Sequence, residues 1–306
     1  MSADRPTDAW AAYWSSAGAD RRGCLPNAKA GLGPALRSIW QDFAARLPRN
    51  AKVLDLGTGD GAVLRELRAV RSGLALTGVD SAPQLPSAPA GIKLKPGVAM
   101  ERLPFPEHAF DAVTSQFGIE YGDTALIAGE AARVLKPEGR LCFIIHNREG
   151  LVVTHNLARR DALLWASRDS GYLEQARRLA AARLAMPMPM PTPQRFRDAV
   201  AEAGRLFPTQ SAAAEFVAAI LQVLDQGRLA RARHTIELLA TLEERASNEI
   251  ERINALEKAA CGGGEIAAIA KQLRQAGIIV REPAPLVEAE GRPSFAWLLS
   301  GSKEKK

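Results

Sequence analysis

Between residues 36 and 47 apolar side chains recur at helical spacing, as Leu36, Ile39, Trp40, Phe43 and Leu47, and Pro48 follows at once. The pattern predicts a helix that ends there and packs one face on a core. Downstream the period changes. Short apolar runs alternate with helical stretches: KVLDLG before GAVLRELRAV, then LALTGVD, IKLKPGV and FDAVTSQFG, then the helix DTALIAGEAARVL, the turn KPEG and the run GRLCFIIH. Short apolar runs separated by helices predict a parallel sheet covered on both faces. Right-handed crossovers then gather the ligand-binding loops along the carboxyl ends of the strands.

From about Asn147 to Ala260 the strand signal is gone. DALLWASRDSGYLEQARRLAAARL reads as helical, and helical patterns resume at QRFRDAVAEAGRLF and AAAEFVAAILQVLDQ. The alternating prolines of AMPMPMPTP remove donors and hold the backbone extended, so that stretch is a spacer. A long charged helix beginning at RLARAR follows, with Ile236, Leu239, Leu242, Ala246, Ile250 and Ile253 in an apolar stripe. CGGG ends it. The helix EIAAIAKQLRQAG, the strand IIVREPAPLVEA, the turn EGRPS and the strand FAWLLSGS close the chain. The expected architecture is α/β, a doubly wound, seven-stranded, mostly parallel sheet with an all-helical insertion before the last two strands. Its domains are residues 1–50 as an N-terminal helical flap, 51–147 with 262–303 as the sheet core, and 148–261 as the insertion.

Composition changes this picture little. The chain has 306 residues, 47% hydrophobic and 24% charged, as an ordinary globular protein has. The net charge of +6 would suggest a polyanionic partner if it were clustered. The insertion carries sixteen Arg and Lys against fourteen Asp and Glu, which argues against nucleic acid. Cys24, Cys142 and Cys261 match no metal or redox spacing, so no metal is expected. A polar start and the absence of any apolar run of about 18 residues point to a cytoplasmic protein with no membrane span.

The chemistry starts at the glycine turn. GTGDGA fits a dinucleotide fingerprint through Gly57, Gly59 and Ala62, and Asp80 stands 21 residues beyond Gly59. Asp55 and Asp60 oppose that reading, because a pyrophosphate beside two carboxylates in a partly dry crevice costs several kcal/mol. A ligand with an ammonium and a sulfonium group removes the objection. In this light VLDLGTGDG resembles the first motif of class I S-adenosylmethionine-dependent methyltransferases, and GVD their second-strand acidic motif. RLPFPEHAFDAVTSQFGIEY and EAARVLKPEGRLCFII are similar to two later segments of the same family, in its order and spacing.

The resemblance covers roughly residues 50–147 and, more loosely, 264–300. It implies S-adenosylmethionine as cofactor, with Asp55, Gly57 and Gly59 along its methionine part and Asp80 on the ribose. It also implies that Ser81 borders the adenine, that Met100 and Glu101 pack beside that ring, and that Gln116 and Phe117 sit by the amino acid moiety. Ala99 stands where relatives often carry an Asp. The implied reaction is methyl transfer to an oxygen or nitrogen of a small or medium organic acceptor. The alternatives are an RNA methyltransferase, a lipid or quinone methyltransferase, and a non-catalytic cofactor-binding protein. His146, closing LCFIIH, is the candidate general base, ahead of His155. His108 and His234 read as surface positions. Trp10, Tyr13 and Trp14, as an aromatic flap, and Glu120 and Tyr121 are candidate acceptor contacts. The insertion reads as a substrate lid or as a homodimerisation module.

Overall fold

Val53, Leu54 and Leu56 have no exposed surface, and neither have Phe143, Ile144 and Ile145. Strands apolar on both faces must be covered on both faces, and that requirement organises the fold. In the computed structural model, which describes Trp10, Tyr13, Trp14 and residues 32–186, 190–226, 232–288 and 291–305, the chain divides into two compact units. One comprises residues 1–154 and 255–306, the other residues 155–254.

The first unit is built on an eight-stranded sheet. In chain order its elements are α1 (Leu32–Ala45), β1 (Lys52–Leu56), α2 (Ala62–Val70), β2 (Ala75–Val79), β3 (Ile92–Lys95), β4 (Phe110–Gln116), a 3-10 turn (Ile119–Tyr121), α3 (Thr124–Val134) and β5 (Leu135–His146). The strand order is β3-β2-β1-β4-β5, all parallel, so the chain reverses its direction of travel between β1 and β4. A crevice opens at such a reversal, beyond the carboxyl ends of the strands. β8 (Ser294–Lys303) then adds antiparallel to β5. Trp40, Leu64 and Leu67 cover one face of the sheet from α1 and α2. Ile127 and Ala131 from α3, with Ile266 and Leu273 from α9 (Gly263–Gln275), cover the other.

Two expectations need correction. The closing segment IIVREPAPLVEA is two strands, β6 (Ile278–Val280) and β7 (Ala284–Val287), which both pair with β8. Pro283 and Pro285 interrupt the run, and a proline is tolerated only where no ladder donor is required. Three strands therefore follow the insertion, and the sheet has eight strands in place of seven. KPEG is no separate turn. It lies inside β5 as an irregularity, with Glu138 left-handed at φ 61° and the β4–β5 register shifting between Phe110 and Ala112. Residues 32–45 form the expected helix packed on the core, with Trp40 1% exposed.

The second unit is helical. It takes in most of α4 (Leu151–Leu164), a π-helical segment (Trp165–Asp169), α5 (Tyr172–Ala185), α6 (Arg195–Leu206), α7 (Ala212–Gln226) and most of α8 (Ala232–Ala259). Within the helical stretch from Asp161 to Leu184, the π segment and left-handed Gly171 at φ 71° separate two helices. Leu239, Ala246 and Ile250 from the expected stripe join Phe196, Phe216 and Ile220 in this unit's core. Residues 187–189 of the proline spacer, the first residues of RLARAR and Cys24 lie outside the described residues. Among the described residues no helix is long and apolar enough to cross a membrane, and no side-chain group is arranged to hold a metal.

Candidate active site

Four strand ends meet at the crevice: Leu56, Val79, Gln116 and His146. The β1 end carries the glycine turn. Gly57, Gly59 and Gly61 are all left-handed, at φ 63°, 52° and 77°, which a side-chain-bearing residue adopts only at a cost. A Cβ on Gly57 would meet the Gly118 backbone at 3.0 Å and Met100 Sδ at 3.6 Å, so glycine there lets the β1 and β4 loops close on each other. A Cβ on Gly59 would run into the Trp14 indole, which therefore lies close against the turn.

Three carboxylates surround this turn, and each is held differently. Asp55 is 1% exposed, and its Oδ1 accepts the Thr114 hydroxyl at 2.8 Å. Burial pushes its acid up to about 7, against the Thr58 and Thr114 hydroxyls, with Asp80 and Asp60 adding repulsion. Asp80 pins the turn itself. Its Oδ2 accepts Gly59 N–H at 2.9 Å and its Oδ1 accepts Ala82 N–H at 2.9 Å, while burial raises its acid. Asp60 is neutralised by Arg65, which reaches its Oδ2 at 2.8 Å, and it also accepts Ala62 N–H as α2 begins. Asp60 therefore weighs less than Asp55 and Asp80 against a phosphate or toward a cation. That is a smaller part than the sequence implied for it.

The β4 and β5 ends carry a different apparatus. His146 has no exposed surface, and neither has the Glu120 side chain. Glu120 Oε1 accepts from His146 Nδ1 at 2.8 Å and from the His146 backbone N–H at 3.0 Å. Phe117 stacks on the imidazole, centroids 4.0 Å apart and planes 19° off parallel, while Tyr121 meets it edge-on at 6.2 Å. Phe117 adopts φ 58°, a left-handed conformation that costs a bulky residue about 1–3 kcal/mol and persists only where the surroundings enforce it. Rings continue outward from there. Tyr121 meets Trp10 at 5.9 Å, and Trp10 stacks on Trp14 at 6.2 Å, with Tyr13 edge-on to both. An unbroken aromatic series thus links the glycine turn to His146.

The remaining candidates separate. Gln116 Oε1 accepts the Trp40 indole N–H at 2.7 Å, so α1 holds that side chain. Met100 packs beside Gly57, whereas Glu101 Oε1 accepts the Asp123 N–H at 3.1 Å, at the start of α3. Ser81 is exposed just after Asp80. His155 lies in the helical unit, where its Nδ1 faces Gln210 Nε2 at 3.1 Å, and burial lowers its basicity. His108 and His234 are exposed. Thr114 and Gly118 escaped the sequence reading. The Asp55–Thr114 register would have exposed the first, but only once β1 was known to pair with β4.

Residues 54–143 match the family model of a methyltransferase domain. The chain is 39% identical over 98 residues to the demethylmenaquinone methyltransferase of Thermotoga maritima, covering 30% of this chain and 42% of that one. It is 38% identical over 117 residues to the demethylmenaquinone methyltransferase of Deinococcus radiodurans, covering 35% and 47%. It is 31% identical over 119 residues to the ubiquinone/menaquinone biosynthesis C-methyltransferase of Geotalea daltonii, covering 34% and 51%. The chain thus spans about half the length of these curated relatives. The family match falls on the five parallel strands and the glycine turn, and over residues 54–143 it marks a methyltransferase domain of the S-adenosylmethionine-dependent kind, whose cofactor is S-adenosylmethionine. The residues present fit that cofactor: a side-chain-free cradle at Gly57 and Gly59, and two carboxylates, the buried Asp55 and the half-buried Asp80.

Proposed function

We propose that this protein transfers a methyl group from S-adenosylmethionine to a hydroxylated aromatic acceptor, at its oxygen or at a ring carbon conjugated with it. The observation that carries this reading is the buried His146–Glu120 pair at the end of β5, set among Phe117, Tyr121 and Trp10. When bound, the cofactor supplies a methyl group made electrophilic by a positive sulfur. Asp80 and the glycine turn would hold its ribose and methionine ends, and ionised Asp55 would face its cationic end.

The chain's own residues then have three tasks. The aromatic rings orient a planar acceptor and exclude water, which favours in-line displacement. His146 takes the acceptor's hydroxyl proton. The oxygen, or the conjugated ring carbon, bonds to the methyl carbon as the methyl–sulfur bond breaks and its electron pair stays on sulfur. A carbon acceptor also releases its ring hydrogen as a proton, and the imidazolium returns its own proton to solvent. Because His146 is fully covered, Tyr121 and the flap residues Trp10 and Trp14 must part to admit the acceptor. Cys261 is no rival nucleophile, since burial and then Glu120 push its thiol up to about 12.

The quinone-ring methyltransferases among the relatives support an aromatic hydroxylated acceptor over an amine. The test is turnover of S-adenosylmethionine with 1,4-dihydroxynaphthalene and with an aromatic amine of similar size. Methylation of the quinol alone supports the reading, and methylation of the amine alone defeats it.

A further inference from the structure

We infer that Glu120 is a positioning residue: it fixes the tautomer and ring orientation of His146 so that Nε2 is the proton-accepting atom. The inference rests on the base assigned above and goes beyond it, because Glu120 was an acceptor contact in the sequence reading. Glu120 belongs to the 3-10 turn after β4 and His146 ends β5, so the parallel β4–β5 pairing brings together residues 26 apart.

The geometry is over-determined. A single oxygen, Glu120 Oε1, accepts from both the His146 backbone N–H and its ring Nδ1. Holding the main chain and the ring of one residue on one oxygen fixes the side-chain torsions as well as the proton position. A carboxylate only accepts, so in the neutral imidazole the proton sits on Nδ1 and the lone pair on Nε2. Phe117 covers one face of the ring at 4.0 Å, and its left-handed backbone shows that the position is enforced. Glu120 Oε2 is buried with no hydrogen-bond partner among the described residues. When His146 takes the acceptor's proton, the adjacent anion stabilises the resulting imidazolium.

The test uses full-length protein with ring-15N-labelled histidine, comparing wild type, E120Q and E120A, each confirmed as folded by circular dichroism. Loss of one signal in H146N assigns the His146 resonances. The expected wild-type spectrum shows Nδ1 protonated, with its proton at low field. In E120Q, which keeps the shape and an acceptor oxygen, that proton resonance moves upfield, because a charge-assisted bond becomes a neutral one. In E120A the Nε2–H tautomer grows in. Kinetics with 1,4-dihydroxynaphthalene should show kcat falling at least about tenfold in E120Q, with the KM for S-adenosylmethionine unchanged and no further loss when E120Q is added to H146N. A wild-type His146 protonated on Nε2, an Nδ1–H resonance identical in E120Q, or an unchanged kcat in E120Q would overturn the inference. Undiminished kcat in H146N, together with an Nδ1–H tautomer in the wild-type spectrum, would instead remove the base assignment and leave the pairing standing.

Discussion

The two sides of the crevice solve the problem of holding a ligand by opposite means. On the β1–β2 side the work falls to the backbone: three left-handed glycines remove side chains, and Asp80 fastens the turn through a main-chain N–H. On the β4–β5 side it falls to side chains: a buried imidazole, a buried carboxylate and a series of rings. A cofactor shared by many enzymes is well served by backbone geometry that few side chains govern. An acceptor that differs between enzymes needs side chains that can.

Breaking the acceptor side at its base should give the largest effect. Replacing His146 with Asn should lower kcat by about 10²–10⁴-fold, as loss of a general base does, with S-adenosylmethionine affinity unchanged. Single-turnover assays beside calorimetry separate the two quantities, and a parallel loss of affinity would show that the two sides are not independent.

A smaller effect, with a pH signature, belongs to the cofactor side. With its acid raised from 3.8 to about 7, Asp55 holds its proton in the folded state where the unfolded chain has lost it. The folded state therefore binds more protons between these values, and stability from this group falls as pH climbs from about 4 to 7. Asp55→Asn should remove that dependence and raise the melting temperature at pH 8, by about 2–4 °C for each kcal/mol relieved. The same variant should weaken S-adenosylmethionine binding several-fold at pH 8 and little at pH 6, where wild-type Asp55 is mostly protonated. Thermal melts and calorimetry at both pH values check both signs. The smallest effect is optical. Trp14 lies on Gly59, so S-adenosylmethionine should change the tryptophan emission of wild type, and Trp14→Phe should lose most of that change. An equal change in the variant would place the flap elsewhere.

The same contrast explains what could be read from the sequence. DLGTGDG is a local motif, and its glycines declare their backbone wherever the strand ends, so the cofactor side was legible. Asp60 was misjudged because Arg65, five residues on along α2, neutralises it, and no spacing reveals which way a carboxylate turns. His146 was visible as a strand-end histidine, yet its partner was not. The Glu120 pairing depends on β5 lying beside β4, a fact of topology. The KPEG irregularity and the split of β6 from β7 were hidden for a related reason. Turn residues look alike whether they end a strand or bend one.

The measurement that tests most directly whether the glycine-turn side is the cofactor site is a calorimetric titration with S-adenosylmethionine. Wild type should be compared with Asp80→Ala and Asp80→Asn, each shown to be folded. The expected result is saturable one-site binding to wild type and at least tenfold weaker binding to both variants, a difference of about 1.4 kcal/mol or more. Absence of binding to wild type, or equal affinity in both variants, would contradict it.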